Sequence, residues 1–214
     1  MGQKRRFDRA PIASGSPQRF SDEYPGVVLH VAQMNPVTLE IRELRDRSVD
    51  LMIGRMAVPF EEADVNAEIL FEEPLIVVAG AQSQWCRRRK IKLADLLDEK
   101  WILYPPNQVV SLLIEQAFRA QGLAPPRARV LTFSLQLRDM LLMAGDYLSV
   151  IPYSMVRAFN AKRLTVTPLA IKLGIQTRPV AMFTLKNRTL SPVAELFMEC
   201  VRTTVKSMQS QHKY

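Results

Sequence analysis

The sequence predicts an α/β protein folded as two lobes around a hinge. Short apolar runs alternate with stretches of helical periodicity, the alternation falls into two groups at roughly 25–75 and 80–170, and a further strand and helix follow. An economical path leaves the first group through residues 73–80 and returns through residues 178–185, bringing the last helix back to the first lobe. Two crossings make a hinge, and a hinge between α/β lobes makes a cleft. The division expected is residues 1–78 with 179–214 for lobe I, and residues 79–178 for lobe II.

Each element has a local reason. Val27-Val28-Leu29-His30-Val31 reads as a strand after the turn Tyr24-Pro25-Gly26. Asn35-Pro36 offers a helix start, because an Asn side chain accepts from free N–H groups and proline's missing N–H costs nothing at the first helical position. Val37, Ile41 and Leu44 follow at helical spacing, and residues 50–54 form a second short strand. The apolar stretch 69–79 is broken by Glu72-Glu73-Pro74 and supplies the first crossing. In the second group, Trp101-Ile102-Leu103-Tyr104 is strand-like and Pro105-Pro106-Asn107 ends it. Val109, Leu112, Leu113, Gln116, Ala117 and Ala120 then mark a helix that stops near Gly122. After a strand at 129–133, Ser134 caps a helix predicted to turn Leu137, Met140, Leu141 and Ala144 to one side before Gly145. Residues 148–152, 164–169 and 179–185 read as strands. Ser191-Pro192 opens a last helix with Val193, Leu196, Phe197, Cys200, Val201, Val205 and Met208 along one stripe. Strands alternating with helices predict parallel sheets.

Composition narrows the function. Of 214 residues, 48% are apolar, enough for real cores, and no window approaches the ~20 apolar residues of a membrane helix. Cys86 and Cys200 are far apart and suggest neither a disulfide framework nor zinc spacing, and no apolar stretch follows the basic run at the N-terminal side, so a cytoplasmic setting is expected. The net charge of +8 invites a nucleic-acid reading, but the charges are scattered. The tight runs, Lys4-Arg5-Arg6 and Arg87-Arg88-Arg89-Lys90, read as solvated loops, and no finger, zipper or RNP-like segment accompanies them.

Catalysis finds no support. Ser14-Gly15-Ser16 lacks the spacing of a nucleophile elbow. The histidines are His30, inside a strand pattern, and His212, so a Ser–His pair is not expected. Cys86 beside Arg87 reads as an incidental loop thiol. There is no P-loop and no GxGxxG. Glu61-Glu62 and Glu72-Glu73 are adjacent, and adjacent residues of a strand face opposite ways. No catalytic residue, metal or cofactor is predicted.

Binding is better served. Asn35, Pro36 and Val37 sit at a helix start, whose free N–H groups favour an anion; the plainer role for Asn35 is capping. Gly54 and Arg55 end a strand, where ligands gather in open α/β sheets; Arg55 either forks onto a carboxylate or lies on the surface. Pro106 and Asn107 follow a strand and precede a helix, and Ser134 precedes another, so these residues either face a cleft from lobe II or serve only the turn and the cap.

The sequence also resembles a known family. Arg19-Phe20-Ser21-Asp22-Glu23-Tyr24-Pro25-Gly26-Val27 resembles the entrance of the effector-binding domain of LysR-type transcriptional regulators. Residues 35–44, then Val49-Asp50-Leu51-Met52-Ile53-Gly54-Arg55, are similar to that family's helix and following strand. Glu73-Pro74-Leu75-Ile76-Val77-Val78-Ala79 resembles its first crossover. Leu93-Ala94-Asp95-Leu96, Trp101-Ile102-Leu103, residues 117–123, and Gly145 through Ile151-Pro152 follow in family order. Residues 4–18 depart from the pattern, being basic where the family's first strand is apolar, so an atypical or truncated strand is expected there.

The resemblance implies a two-lobed fold like type II periplasmic binding proteins, with a small organic acid or sugar-like effector between the lobes. It places Pro152 and Tyr153 at a strand-to-helix turn beside the pocket, where Tyr153 either faces the ligand or serves only packing. It also implies a homodimer pairing helix 37–48 of one copy with helix 109–121 of another, and DNA contact only through a winged helix-turn-helix that precedes this domain in full-length members. The rival within the same fold is a solute-binding protein.

Overall fold

The computed structural model describes residues 12–32, 41–56, 60–106, 108–160, 165–174 and 177–210. The described chain builds two sheets. The first has the order β1–β8–β2, from β1 (Met52–Arg55), β2 (Val65–Glu73) and β8 (Arg178–Leu185). The second has the order β5–β4–β6–β3–β7, from β3 (Leu75–Gly80), β4 (Lys100–Leu103), β5 (Ala128–Leu131), β6 (Tyr147–Pro152) and β7 (Val166–Pro168). The chain passes between them at Glu73–Leu75 and again before Arg178, and Glu73 stands opposite Arg178 in register.

Alternation along β8 explains how a narrow sheet carries two cores. Ala181 and Phe183 point to one face, where they join Val65 with Ile41 and Leu44 beside α2 (Arg42–Arg45). Met182 points to the other face and packs with Leu70, Val201 and Val205 beneath α6 (Pro192–Ser210). Ser191 Oγ accepts from Ala194 N at 3.1 Å, the cap expected from Ser-Pro. On α6, Phe197 meets Phe20 of α1 (Ile12–Glu23) edge-on at 5.3 Å.

Lobe II has the larger core. On one face of its sheet, Val77, Ala79, Trp101, Leu148 and Val150 pack against Leu113, Ile114, Ala117 and Phe118 of α3 (Val109–Arg119) and against two 3₁₀ turns. On the other, Val78, Ile102, Ile151 and Val166 meet Leu142 of α4 (Leu135–Met143) and side chains of α5 (Tyr153–Phe159). Gly80 is required by this packing, because a Cβ there would lie 1.9 Å from the Leu142 carbonyl oxygen. Gly145 takes φ +91 in the turn from α4 to β6, a backbone region that disfavours side chains.

Three expectations are corrected. The sheets are not parallel throughout: β1, β8 and β2 pair antiparallel, β3 pairs antiparallel with β6 and β7, and only β4 runs parallel to its neighbours β5 and β6. Returning through a hinge reverses strand direction, which simple βα alternation does not anticipate. Residues 27–31 run without regular structure and Val28 is 94% exposed, so this apolar run finds no sheet neighbour among the described residues to make it a strand. Finally, α4 buries Arg138 and Leu142, while Leu137 and Met140 face solvent. The helix is rotated from the apolar stripe because Arg138 is drawn to backbone carbonyls at the strand ends, as shown below.

Candidate functional site

The two crossings lie side by side, and Arg55 locks them together. It ends β1 opposite Val180. Its Nη1 donates to the Glu73 carbonyl at 2.8 Å and to the Arg178 carbonyl at 3.2 Å, one from each crossing. Its Nη2 donates to Glu73 Oε2 at 3.3 Å. The other carboxylate oxygen, Oε1, accepts from Ser154 N at 2.8 Å at the start of α5. One ion pair therefore joins lobe I, both crossings and lobe II.

Both side chains of that pair are only 10% exposed. Burial pushes the Arg55 pKa down, and the nearby Glu73 and Tyr104 pull it back up. Of the two readings open for Arg55, the surface one fails: the residue is buried and partnered. The sequence-predicted Pro152 and Tyr153 lie at the same joint, Pro152 opposite Leu75 and Tyr153 donating its N–H to the Pro74 carbonyl at 3.1 Å.

A second buried guanidinium lies in lobe II. Arg138 has no exposed surface. Its Nη1 donates to the Ile102 carbonyl at 2.9 Å and to Ser149 Oγ at 2.5 Å, and its Nη2 to the Thr132 carbonyl at 2.7 Å and, more weakly, the Leu103 carbonyl at 3.5 Å. These acceptors are all neutral. The guanidinium carbon lies 4.2 Å from the Tyr104 ring centroid, a cation–π contact. Burial lowers the Arg138 pKa, opposed by Tyr104. Arg138 thus staples the carboxyl ends of β4 and β5 and fixes the ring that follows β4.

The remaining predicted residues are placed as follows. Gly54 stands opposite Ala181, and a Cβ built there would meet nothing within 4 Å, so the space over this strand end is open. Pro106 occupies the exposed turn between β4 and α3. Ser134 performs its cap, its Oγ accepting from Leu137 N at 3.2 Å, while its own N–H donates to Thr132 Oγ1 at 2.9 Å. Asn35, Pro36, Val37 and Asn107 lie outside the described residues. The structure brings Arg55, Pro152 and Tyr153 together at the hinge, and Ser134 beside Arg138 at the strand ends of lobe II. Sequence reasoning missed Glu73, Tyr104 and Arg138. Tyr104 had a signal, as the first residue past a strand of an α/β sheet. Arg138 had one too, standing four residues before Leu142 on one helical face.

Among the described residues no His/Cys/Asp/Glu group is placed to hold a metal ion, and no helix is long and apolar enough to cross a membrane.

Comparison with known proteins places this architecture. The chain is 26% identical over 182 residues to the transcriptional regulator GbpR of Azospirillum brasilense, covering 84% of this chain and 52% of that protein. It is 28% identical over 188 residues to the dual regulator GltC of Bacillus subtilis, covering 85% of this chain and 59% of that one. It therefore spans between half and three-fifths of these relatives, which are transcriptional regulators. Among solved structures, the CcmR regulatory domain of Synechocystis PCC6803 in complex with 2-PG superposes with a TM-score of 0.74 at 21% identity, over 90% of each chain. The QuiR effector-binding domain in complex with shikimate gives 0.69 at 20% identity, over 90% of this chain and 89% of that one. The fold is thus the two-lobed, type II periplasmic-binding-protein-like one of effector-binding domains. The model of the LysR substrate binding domain matches residues 17–206, nearly the whole described chain, and the protein belongs to that family.

Proposed function

We propose that this chain is the sensing module of a LysR-type transcriptional regulator, closing its two lobes on a small organic acid or sugar-like effector. The observation that carries the reading is the buried joint of Arg55, Glu73 and the Arg178 carbonyl, which couples both crossings to both lobes. A ligand that prefers one lobe arrangement shifts the balance at such a joint by its differential affinity. The effector site comprises Asn35, Pro36, Val37, Gly54, Arg55, Pro106, Asn107, Ser134, Pro152 and Tyr153, with Arg55 organising the hinge. The module has no catalytic role and works in the cytoplasm.

The lobes divide near 1–78 with 179–214 and 79–178; the start of β3 at Leu75 favours drawing the first edge at Pro74. Two copies pair head to tail, residues 37–48 of one copy against residues 109–121 of the other, and the exposed Leu112 on α3 supports that face. DNA is contacted through a helix-turn-helix domain outside this sequence. Shikimate, benzoate and 2-PG, which accompany the structural neighbours QuiR, BenM and CcmR, make sensible first probes.

Thermal denaturation of the chain with these acids and with sugar acids tests the reading. A ligand at a hundred times its Kd adds about 2.7 kcal/mol, and the rise in melting temperature grows with the logarithm of concentration. A chain whose melting temperature ignores every acid and sugar tried would sink the proposal.

A further inference from the structure

The unassigned group with most to do in the cleft is the side chain of Tyr104. It follows the last residue of β4, at the carboxyl end of two parallel strands, where α/β sheets place ligands. Its position is over-determined. One ring face lies against Arg138 at 4.2 Å, the Phe133 ring lies 6.1 Å away, and Ser111 Oγ donates to the carbonyls of Tyr104 and Pro105 at 3.2 and 2.7 Å. A ring clamped so firmly is nevertheless partly exposed, and its hydroxyl makes no hydrogen bond to any described residue.

The charge around it has a sign. Arg55 is neutralised by Glu73. Arg138 is not neutralised: its acceptors are three carbonyls and the Ser149 hydroxyl, and no carboxylate lies within ion-pair distance of it among the described residues. A buried cation without a counter-ion is costly, and an anion nearby relieves that cost. The Tyr104 phenol is within electrostatic reach of both guanidiniums, Arg55 from lobe I and Arg138 from lobe II.

We propose that Tyr104 contacts the effector, donating its hydroxyl to a carboxylate or phosphate oxygen, with Arg138 as the positioning residue that holds the ring and supplies the uncompensated charge. This rests on the effector-cleft reading above and adds to it the contact residue on lobe II and the charge of the ligand. Arg138 spends its own Nη donors on the strand ends and so acts through the ring. A phenol bonded to an anion contributes roughly tenfold or more in affinity.

The test uses the full chain labelled with fluorinated tyrosine, with the Tyr104 resonance assigned by its loss in Tyr104→Phe. Benzoate, shikimate and 2-PG are titrated to tens of millimolar beside the neutral probes benzamide and methyl shikimate, and melting temperature is followed in parallel. At least one anion is expected to move the Tyr104 signal saturably and raise the melting temperature, while the neutral partners do neither. Tyr104→Phe keeps the ring on Arg138, so its unliganded melting point should stay near that of the parent while affinity for that anion falls roughly tenfold or more. An anion that stabilises the chain without moving the Tyr104 signal, and that binds Tyr104→Phe equally well, overturns this inference and leaves the cleft standing. Neutral probes binding as tightly as the acids overturn the anion assignment. If no compound either stabilises the chain or moves the signal, both readings fall.

Discussion

The five-stranded sheet of lobe II is packed on both faces, and Trp101 on β4 is fully buried and donates its indole N–H to the Leu96 carbonyl at 2.8 Å. Among the described residues, lobe I shows three strands, its core divides into two smaller clusters, and apolar residues 27–31 pair with none of them. Helix and charge reinforce this smaller sheet: α6 covers one face and is tied by Arg202 to Glu68 on β2, while Arg188, just after β8, pairs with Asp50. The difference teaches how stability is distributed around a cleft. The better-packed lobe is expected to act as the platform carrying the strand ends, and the other to open at lower free energy.

The largest expected effect breaks the platform. Trp101→Ala removes the side chain that meets Phe118 edge-on at 5.9 Å and leaves the Leu96 carbonyl without its donor. A loss of about 3–5 kcal/mol is expected from urea unfolding. A loss below about 1 kcal/mol would mean that lobe II is not the better-packed lobe.

At the hinge, which belongs to both lobes, Arg55→Met strands Glu73 in a buried place and should cost about 3 kcal/mol. Arg55→Met with Glu73→Gln should recover part of that loss, because the buried charge goes with its partner. If the single variant costs nothing, the hinge pair is ornamental and the coupling between lobes must run elsewhere.

The unequal lobes also explain what the sequence could reveal. Lobe II was largely legible, because Trp101-Ile102-Leu103, the Val109 helix, Ser134 and Gly145 carry local signals that agree with the tertiary packing. Lobe I was less so. Val27-Val28-Leu29-His30-Val31 has every local mark of a strand, yet a strand exists only where another chain segment accepts its hydrogen bonds, and that partner is not written in the run itself. The α4 stripe failed for a related reason. Leu137 and Met140 follow apolar periodicity, but four neutral acceptors at the strand ends bind Arg138 strongly enough to turn it inward. For the site, Arg55 was legible as a strand-end residue, whereas its engagement with Glu73 and the Arg178 carbonyl depends on two distant crossings meeting, and Arg178 lies 123 residues from Arg55 in sequence.

The smallest expected effect uses acid to separate the lobes. Arg202 grips Glu68 with two N–H donors, Nε to Oε1 at 2.8 Å and Nη2 to Oε2 at 2.7 Å, fastening α6 to β2 in lobe I. Those hydrogen bonds hold the Glu68 pKa below its ordinary 4.5, against the opposing pull of burial. A carboxylate with a depressed folded-state pKa stabilises the fold fully above its unfolded pKa and loses that contribution as pH falls through the folded one. Lobe I carries a second such group in Asp64, which Arg45 lowers to about 2. In lobe II the exposed pair Lys100–Asp146, at 3.4 Å, is looser. Because the Glu68 pair is partly solvated, its worth is under about 1 kcal/mol. Glu68→Gln should therefore be slightly less stable than the parent near neutral pH, and the gap should close as pH is taken below 4.5. Paired urea melts across that range read the difference directly. A gap that keeps its size in acid would mean that the Arg202 fork holds α6 by shape alone, and that lobe I is no more acid-sensitive than lobe II.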